Sequence, residues 1–476
     1  MRAILVIILV LLIAVVLAPF WFGQKAEDEY NKLLDTVSEV QGLEITSRSY
    51  NKGWLKSSAQ VSYQVEYGSD ESIKVLADDT IYHGPIPIGL IGKGKLMLKP
   101  VMAVIESKAE LKTDSTQEYA EIINALPPLS AETTIDLNGS GTYESKFDSI
   151  DITTKDNRTI KWSGLDGLGS FTLNPKKASS VFNSSEFMIE DDNAIVTIKD
   201  INMESDLLYP TSDLKNPLGN ININFGELSS EGKNDEGPNK VVLNNFEINA
   251  STDQEAQLLN HSHSVSFDEL IVTDTSYGPG DYEMEIRNID KKAMEVLQDA
   301  LAENYSDIDN SDQSNQLFLA QVMTVLPDLL KNSPEIEITK LSITTNEGEI
   351  SGHAIISADG NSLDNPELAA NPIFLLAAVS AEADLSVTKA LFDNLLKDYK
   401  IEEIIDELNQ SDEEIPGAKE LEILANDRAQ SEIAELLEAD VLVLENGKYR
   451  IQASYRVGQV NLNGNILDLG SLMNQF

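Results

Sequence analysis

From Ala59 to Tyr67 apolar and polar residues alternate without a break. Ala59, Val61, Tyr63, Val65 and Tyr67 fall on one face of a strand, and Gln60, Ser62, Gln64 and Glu66 fall on the other. A helix cannot use this period, because a turn of 100° per residue would scatter the apolar set around its axis. The alternation returns at Ile221, Ile223 and Phe225, at Ile336 and Ile338, and through "NGKYRIQASYRV", where Asn446-Gly447 supplies a tight hairpin turn. Strands that succeed one another without intervening helices pair antiparallel. Helical spacing is scarcer. Tyr30, Leu33, Leu34 and Val37 show it in "QKAEDEYNKLLDTVSEV", and four later segments follow: "KKAMEVLQDALAENY", "NQLFLAQVMTVLPDLLK", "SVTKALFDNLLKDY" and "AKELEILANDRAQSEIAELLE". The expectation is an α+β fold: an N-terminal transmembrane helix, then a β-rich body with a long curved antiparallel sheet and a few amphipathic helices packed on it.

The transmembrane expectation rests on Ala3 to Gly23, a run without a charge that is long enough to cross the hydrocarbon layer as a helix. Arg2 and the amino terminus precede it and an acidic body follows, so the positive-inside bias puts the N-terminus in the cytoplasm and the body outside. A cleaved signal peptide is the rival, given the small residues near Val16-Leu17-Ala18. Against it, Pro19 would follow the cut, and Phe20, Trp21 and Phe22 continue the run as an interfacial aromatic anchor. The expected divisions are 1–23 as signal anchor, 24–41 as stalk helix, 42–285 as the β-rich first part of the body, and 286–476 as a mixed second part of the same body.

With 476 residues and a net charge of −44 spread along the sequence, the body presents a surface that repels nucleic acid and anionic lipid headgroups. No cysteine occurs, which excludes a lipoprotein and any disulfide.

Motifs with chemical meaning each meet an objection. "GLIGKGKL", Gly89 to Leu96, fits G-x-x-x-x-G-K but has Leu96 where magnesium needs a hydroxyl, so it reads as a loop between strands. "SVTK", Ser386 to Lys389, lacks the partners of a serine nucleophile and makes Ser386 an expected N-cap. His261 and His263 would share a strand face, yet no third ligand is identifiable. Asp307, Asp309 and Asp312 resemble a calcium loop, but the glycine is missing and Phe318 stands at the twelfth position. His83 and His353 are isolated in strand contexts. No catalytic, cofactor-binding or metal residue is singled out, and no cofactor is expected.

The order of several weak motifs carries more. "LEITSRSYNKGWLKSSAQV", "IYHGPIPIG" with "MAVIESKAEL", "IKWSGLDG", "GPGDYEMEIRNIDKKAMEVLQDAL", "SPEIEITKLSITTNEGEISGHAIIS", "ALFDNLL" and "YRIQASYRVGQVNLNGN" run from Leu43 nearly to the C-terminus. In that order they resemble the YdgA family of Gram-negative envelope proteins, whose function is unknown. Acidity and Leu55, where an aromatic commonly follows Gly-Trp, depart from the pattern. The resemblance implies an inner-membrane anchor and a periplasmic body, and it carries over no catalytic residue.

The sequence therefore points to a non-enzymatic, membrane-anchored periplasmic scaffold or binding protein. The alternatives are an apolar ligand or lipid carrier with a groove at Val61 and Val65, and a hydrolase using carboxylates. Gly53 permits a corner and Trp54 covers core beside it; the other reading of Trp54 is an exposed aromatic that docks a partner. Expected partners are the inner membrane through residues 3–23, an envelope protein or a second copy, and lipid, but no nucleic acid.

Overall fold

The computed structural model describes residues 18–19, 21–32, 34–35, 43–66, 72–115, 119–173, 176–210, 216–233, 240–273, 275–306, 322, 324–360, 377–411 and 416–468. Two compact units divide the chain, one formed mainly by residues 1–240 and the other by residues 241–300 and 317–476.

The first unit holds β1 (Leu43–Asn51), β2 (Lys56–Glu66), β3 (Ser72–His83), β4 (Ala103–Lys112), β5 (Leu129–Ile135), β6 (Gly141–Phe147), β7 (Ile150–Thr153), β8 (Thr159–Trp162), β9 (Leu165–Leu173), β10 (Lys176–Glu190), β11 (Ala194–Tyr209) and β12 (Leu218–Gly232). From β1 to β6 each strand pairs antiparallel with the next. β6 then pairs with β9, β9 and β8 lie end to end along one edge of β10, and β11 and β12 continue on the other. Helix is sparse among the described residues here: residues 18–19, 21–32 and 34–35, a six-residue 3-10 helix Ile88–Lys93, and Tyr119–Ala125.

The second unit holds β13 (Lys240–Glu255), β14 (Leu258–Phe267), β15 (Glu269–Val272), β16 (Thr275–Asp290), β17 (Glu335–Thr345), β18 (Gly348–Ala358), β19 (Val379–Thr388), β20 (Val443–Glu445), β21 (Lys448–Arg456), β22 (Gln459–Leu462) and β23 (Asn465–Asp468). It too is antiparallel throughout, with β16 to β19 in sequence and β21 completing the row beside β19. Asn446 and Gly447, at φ 52° and 80°, form the two-residue turn into β21. Two long helices, Lys389–Ser411 and Ala418–Glu438, cover one part of the apolar face, where Leu391, Ile433, Leu442 and Tyr449 are buried together with Val387.

Two sequence expectations are corrected. The fold is mainly β, not α+β, because 23 strands dominate the described residues. No helix among the described residues is long and apolar enough to cross a membrane. Residues 3–17 of the expected transmembrane helix lie outside the described residues. At its far end the run turns to another use: the side chain of Pro19 is fully buried, and Gly23 packs against the ring of His83. The expected N-cap at Ser386 is also corrected. Ser386 lies within β19, bonded to Ser351 at 2.9 Å, and the helix begins at Lys389.

Candidate functional site

The registers of the first unit place one row of residues across nine strands: Ser57, Ile81, Ile105, Thr133, Tyr143, Gly169, Ser180, Ser205 and Ile221. Paired residues share a face, so the rows beside it lie on the same side. One contains Phe182, Met203 and Ile223; another contains His83, Ala103, Ile135, Phe171 and Leu207. A single apolar face thus runs from β1 to β12.

Its two ends differ. From β1 to β5 the face is covered: Ala26, Tyr30 and Leu34 of the N-terminal helical segment bury Ala59, Val61, Ile81, Ala103 and Ile105, with Ile135 at the margin. From β6 to β12 no residue of this face joins a buried apolar cluster among the described residues. Tyr143, Phe171, Phe182, Ile201, Ile223 and Phe225 are half-buried, while Met203 and Ile221 are each 40% exposed. Aromatic rings form the floor. Phe171 lies over Gly141, Phe182 over Gly167 and Tyr143 over Gly169, at distances that leave no room for a Cβ. Rings resting on bare backbone line the strands with apolar surface where a side chain would otherwise project.

A buried polar node closes the covered end. His83, the last residue of β3, is fully buried. Its Nδ1 donates to the Trp54 carbonyl at 3.0 Å and its Nε2 accepts from the Ser57 hydroxyl at 2.9 Å, the pairing that a neutral imidazole satisfies. Burial pushes its pKa down against the pull of the Trp54 and Pro19 carbonyls, which favour the ring proton. A few residues along, Tyr30 of the helical segment donates to the carboxylate of buried Asp79. Burial, then the neighbouring carboxylate, pushes the Tyr30 phenol far up, and burial pushes that of Tyr63 up to about 12.

Each expected site residue now has a place. Val61 is 2% exposed beneath the helical segment, so the face at that point is covered, and Val65 is half-buried. Gly53 sits where a Cβ would strike the Lys56 carbonyl, which fits a forced corner. Trp54 at that corner is 53% exposed; its carbonyl, not its indole, serves the buried node. His261 and His263 share a face of β14, with Thr252 bonded to His261 at 2.9 Å, and no group of three metal-ligating side chains occurs among the described residues. Asp307, Asp309 and Asp312 lie outside the described residues. Sequence reasoning missed His83 as a node and missed the aromatic floor. Gly141, Gly167 and Gly169, all within strands, were the available signal for the floor.

No solved structure matches this chain. An uncharacterized protein of Haemophilus influenzae is 26% identical over 315 residues, which is 61% of this chain and 83% of that protein. A family described as bacterial protein of unknown function, DUF945, matches residues 2–469. Spanning nearly the whole sequence, that match makes the chain a member of the DUF945 family.

Proposed function

We propose that this protein is a non-enzymatic binding protein of the Gram-negative envelope whose ligand is an acyl chain, laid along the aromatic-floored face of β6 to β12. In this reading the uncharged run beginning at Ala3 holds the chain at the inner membrane and the body lies in the periplasm, and the ordered motifs support a YdgA-like member of the family. The observation that carries the ligand is the apolar face that continues past the last buried cluster, with Met203 and Ile221 exposed on it. An apolar surface left in water costs free energy in proportion to its area, so such a face favours an apolar occupant. A scaffold needs no open face of this kind.

Lipid extraction and native mass spectrometry of the detergent-purified full chain test the proposal. The wild-type protein should retain stoichiometric phospholipid. Met203→Asp with Ile221→Asp should reduce it severalfold while leaving the melting temperature unchanged. Absence of lipid from the wild-type protein, or equal retention by the double variant, would refute the acyl-chain ligand.

A further inference from the structure

Three segments meet at the His83 end of the first unit's sheet. The Pro19 carbonyl and Gly23 face the His83 ring, which puts the N-terminal helical segment there. The β1–β2 corner joins it through the Trp54 carbonyl at 3.0 Å and through the Leu55 carbonyl, which accepts from the His83 backbone N–H at 3.1 Å. The β3–β4 loop, residues 84–102, is tied back by Gly84 to Met102 at 2.8 Å and by Val101 to Pro85 at 2.9 Å.

All three expose large apolar side chains. Trp21 is 63% exposed, Trp54 53%, Leu96 67% and Leu98 70%, with Leu55 and Ile91 exposed beside them. A protein that hides its own core has no use for two tryptophans and four aliphatic residues in water at one end.

The charges there are also unlike the rest of the chain. In a sequence with 79 acidic and 35 basic residues, the corner 51–58 and the loop 84–102 contain no Asp or Glu and five lysines: Lys52, Lys56, Lys93, Lys95 and Lys99. Four of these pair with carboxylates, one of them Glu27 of the N-terminal helical segment itself. Lys52 pairs with Glu27 at 3.4 Å, Lys99 with Asp136 at 2.8 Å, Lys93 with Glu106 and Lys95 with Glu132. The rim is thereby relieved of the acidity that would repel an anionic surface. Tryptophans with lysines around protruding aliphatic side chains form the composition that settles at the headgroup level of a bilayer. The position fits as well. The 17 residues that precede the described chain include the uncharged run from Ala3, and they join it at Ala18, next to this patch.

We propose that this end of the first unit is seated in the interfacial layer of a phospholipid bilayer, with Trp21, Trp54, Leu55, Ile91, Leu96 and Leu98 inserted. The body then rests on the membrane directly instead of standing off it on a stalk. This inference rests on the membrane-held reading above and is independent of the acyl-chain ligand.

Single-tryptophan full chains in vesicles of phosphatidylcholine and phosphatidylglycerol, with or without bromine on the acyl chains, provide the test. The chain retaining Trp54 (Trp21→Phe, Trp162→Phe) should be quenched roughly twofold by the brominated lipid, as an indole at headgroup depth is. The chain retaining Trp162 should not be quenched. Trp162 pairs with Phe187, nine residues along β10 from Ala178 in the His83 row, a distance of about 30 Å at the rise of a strand. Adding Leu96→Asp and Leu98→Asp should lower Trp54 quenching to the Trp162 level without changing the melting temperature. Quenching of a Trp21-only chain but not of the Trp54-only chain would overturn the seating while leaving the chain membrane-held. Quenching of neither would overturn both. An unquenched Trp54 that becomes shielded from iodide would point to a protein partner or a second copy and would also overturn the inference. Lipid retention in detergent is read separately, so loss of the acyl-chain ligand cannot be mistaken for loss of seating.

Discussion

His83 joins parts of the chain that the sequence keeps far apart, since Ser57 and Trp54 precede it by 26 and 29 residues. Its neutral form fits the node and burial lowers its pKa, so the node's contribution is present above pH ~6.5, the ordinary imidazole value, and is lost as the pH falls below it. A proton taken up by the unfolded chain is resisted by the folded one. The melting-temperature gap between wild type and His83→Gln should therefore narrow between neutral pH and about pH 5. A gap that stays constant over this range would show that His83 does not titrate between the two states. The Tyr30–Asp79 bond is read differently. Tyr30→Phe leaves a buried carboxylate without its donor and should destabilise the first unit by about 1–3 kcal/mol in denaturant unfolding, with Asp79→Asn in the same chain recovering part of the loss. None of this was legible in "TIYHGPIPIG". A lone histidine on a strand announces neither its burial nor partners contributed by other segments, and Pro19 had been assigned to a membrane run on composition alone.

At the scale of elements, spacing worked where one face decides the packing. Leu421, Ala425, Ala429 and Ile433 recur every fourth residue and are the buried line of the Ala418–Glu438 helix. Ala425 and Ala429 are fully buried, which lets the helix approach its neighbours closely. Ala425→Leu should thus cost about 1–3 kcal/mol by overpacking, against little for a change at exposed Ile423, measured as denaturant midpoints. Alternation from Ala59 likewise marked β2, but the same pattern could not say what lies on top of it. Val61 faces a helix whose own spacing, Tyr30 and Leu34, was read from the sequence as a stalk that packs on something unnamed. The α+β expectation came from weighing helical patterns by number, and the transmembrane one from the length of an uncharged run. The strands turned out longer and more numerous than the turns between them could advertise, and the cap assigned to Ser386 was lost because β19 runs two residues further before the helix begins.

The whole molecule carries a net charge of −44, and like charges spread over both units repel one another through water. Its ion pairs are mostly exposed and contribute little individually. Added salt should therefore stabilise the body overall, raising the melting temperature by a few degrees between low ionic strength and about 0.1 M, where the screening length is near 10 Å. A fall over that range would show that the ion pairs outweigh the repulsion. The order of the strands has another consequence. From β1 to β6 every strand bonds to the one just made, and the helical segment that caps this stretch precedes them all. A chain made from its N-terminus can finish the capped end first, and each later hairpin then lengthens the uncapped surface. The open face of β6 to β12 would thus be the last part of the first unit to come into existence, added outward from an end already complete.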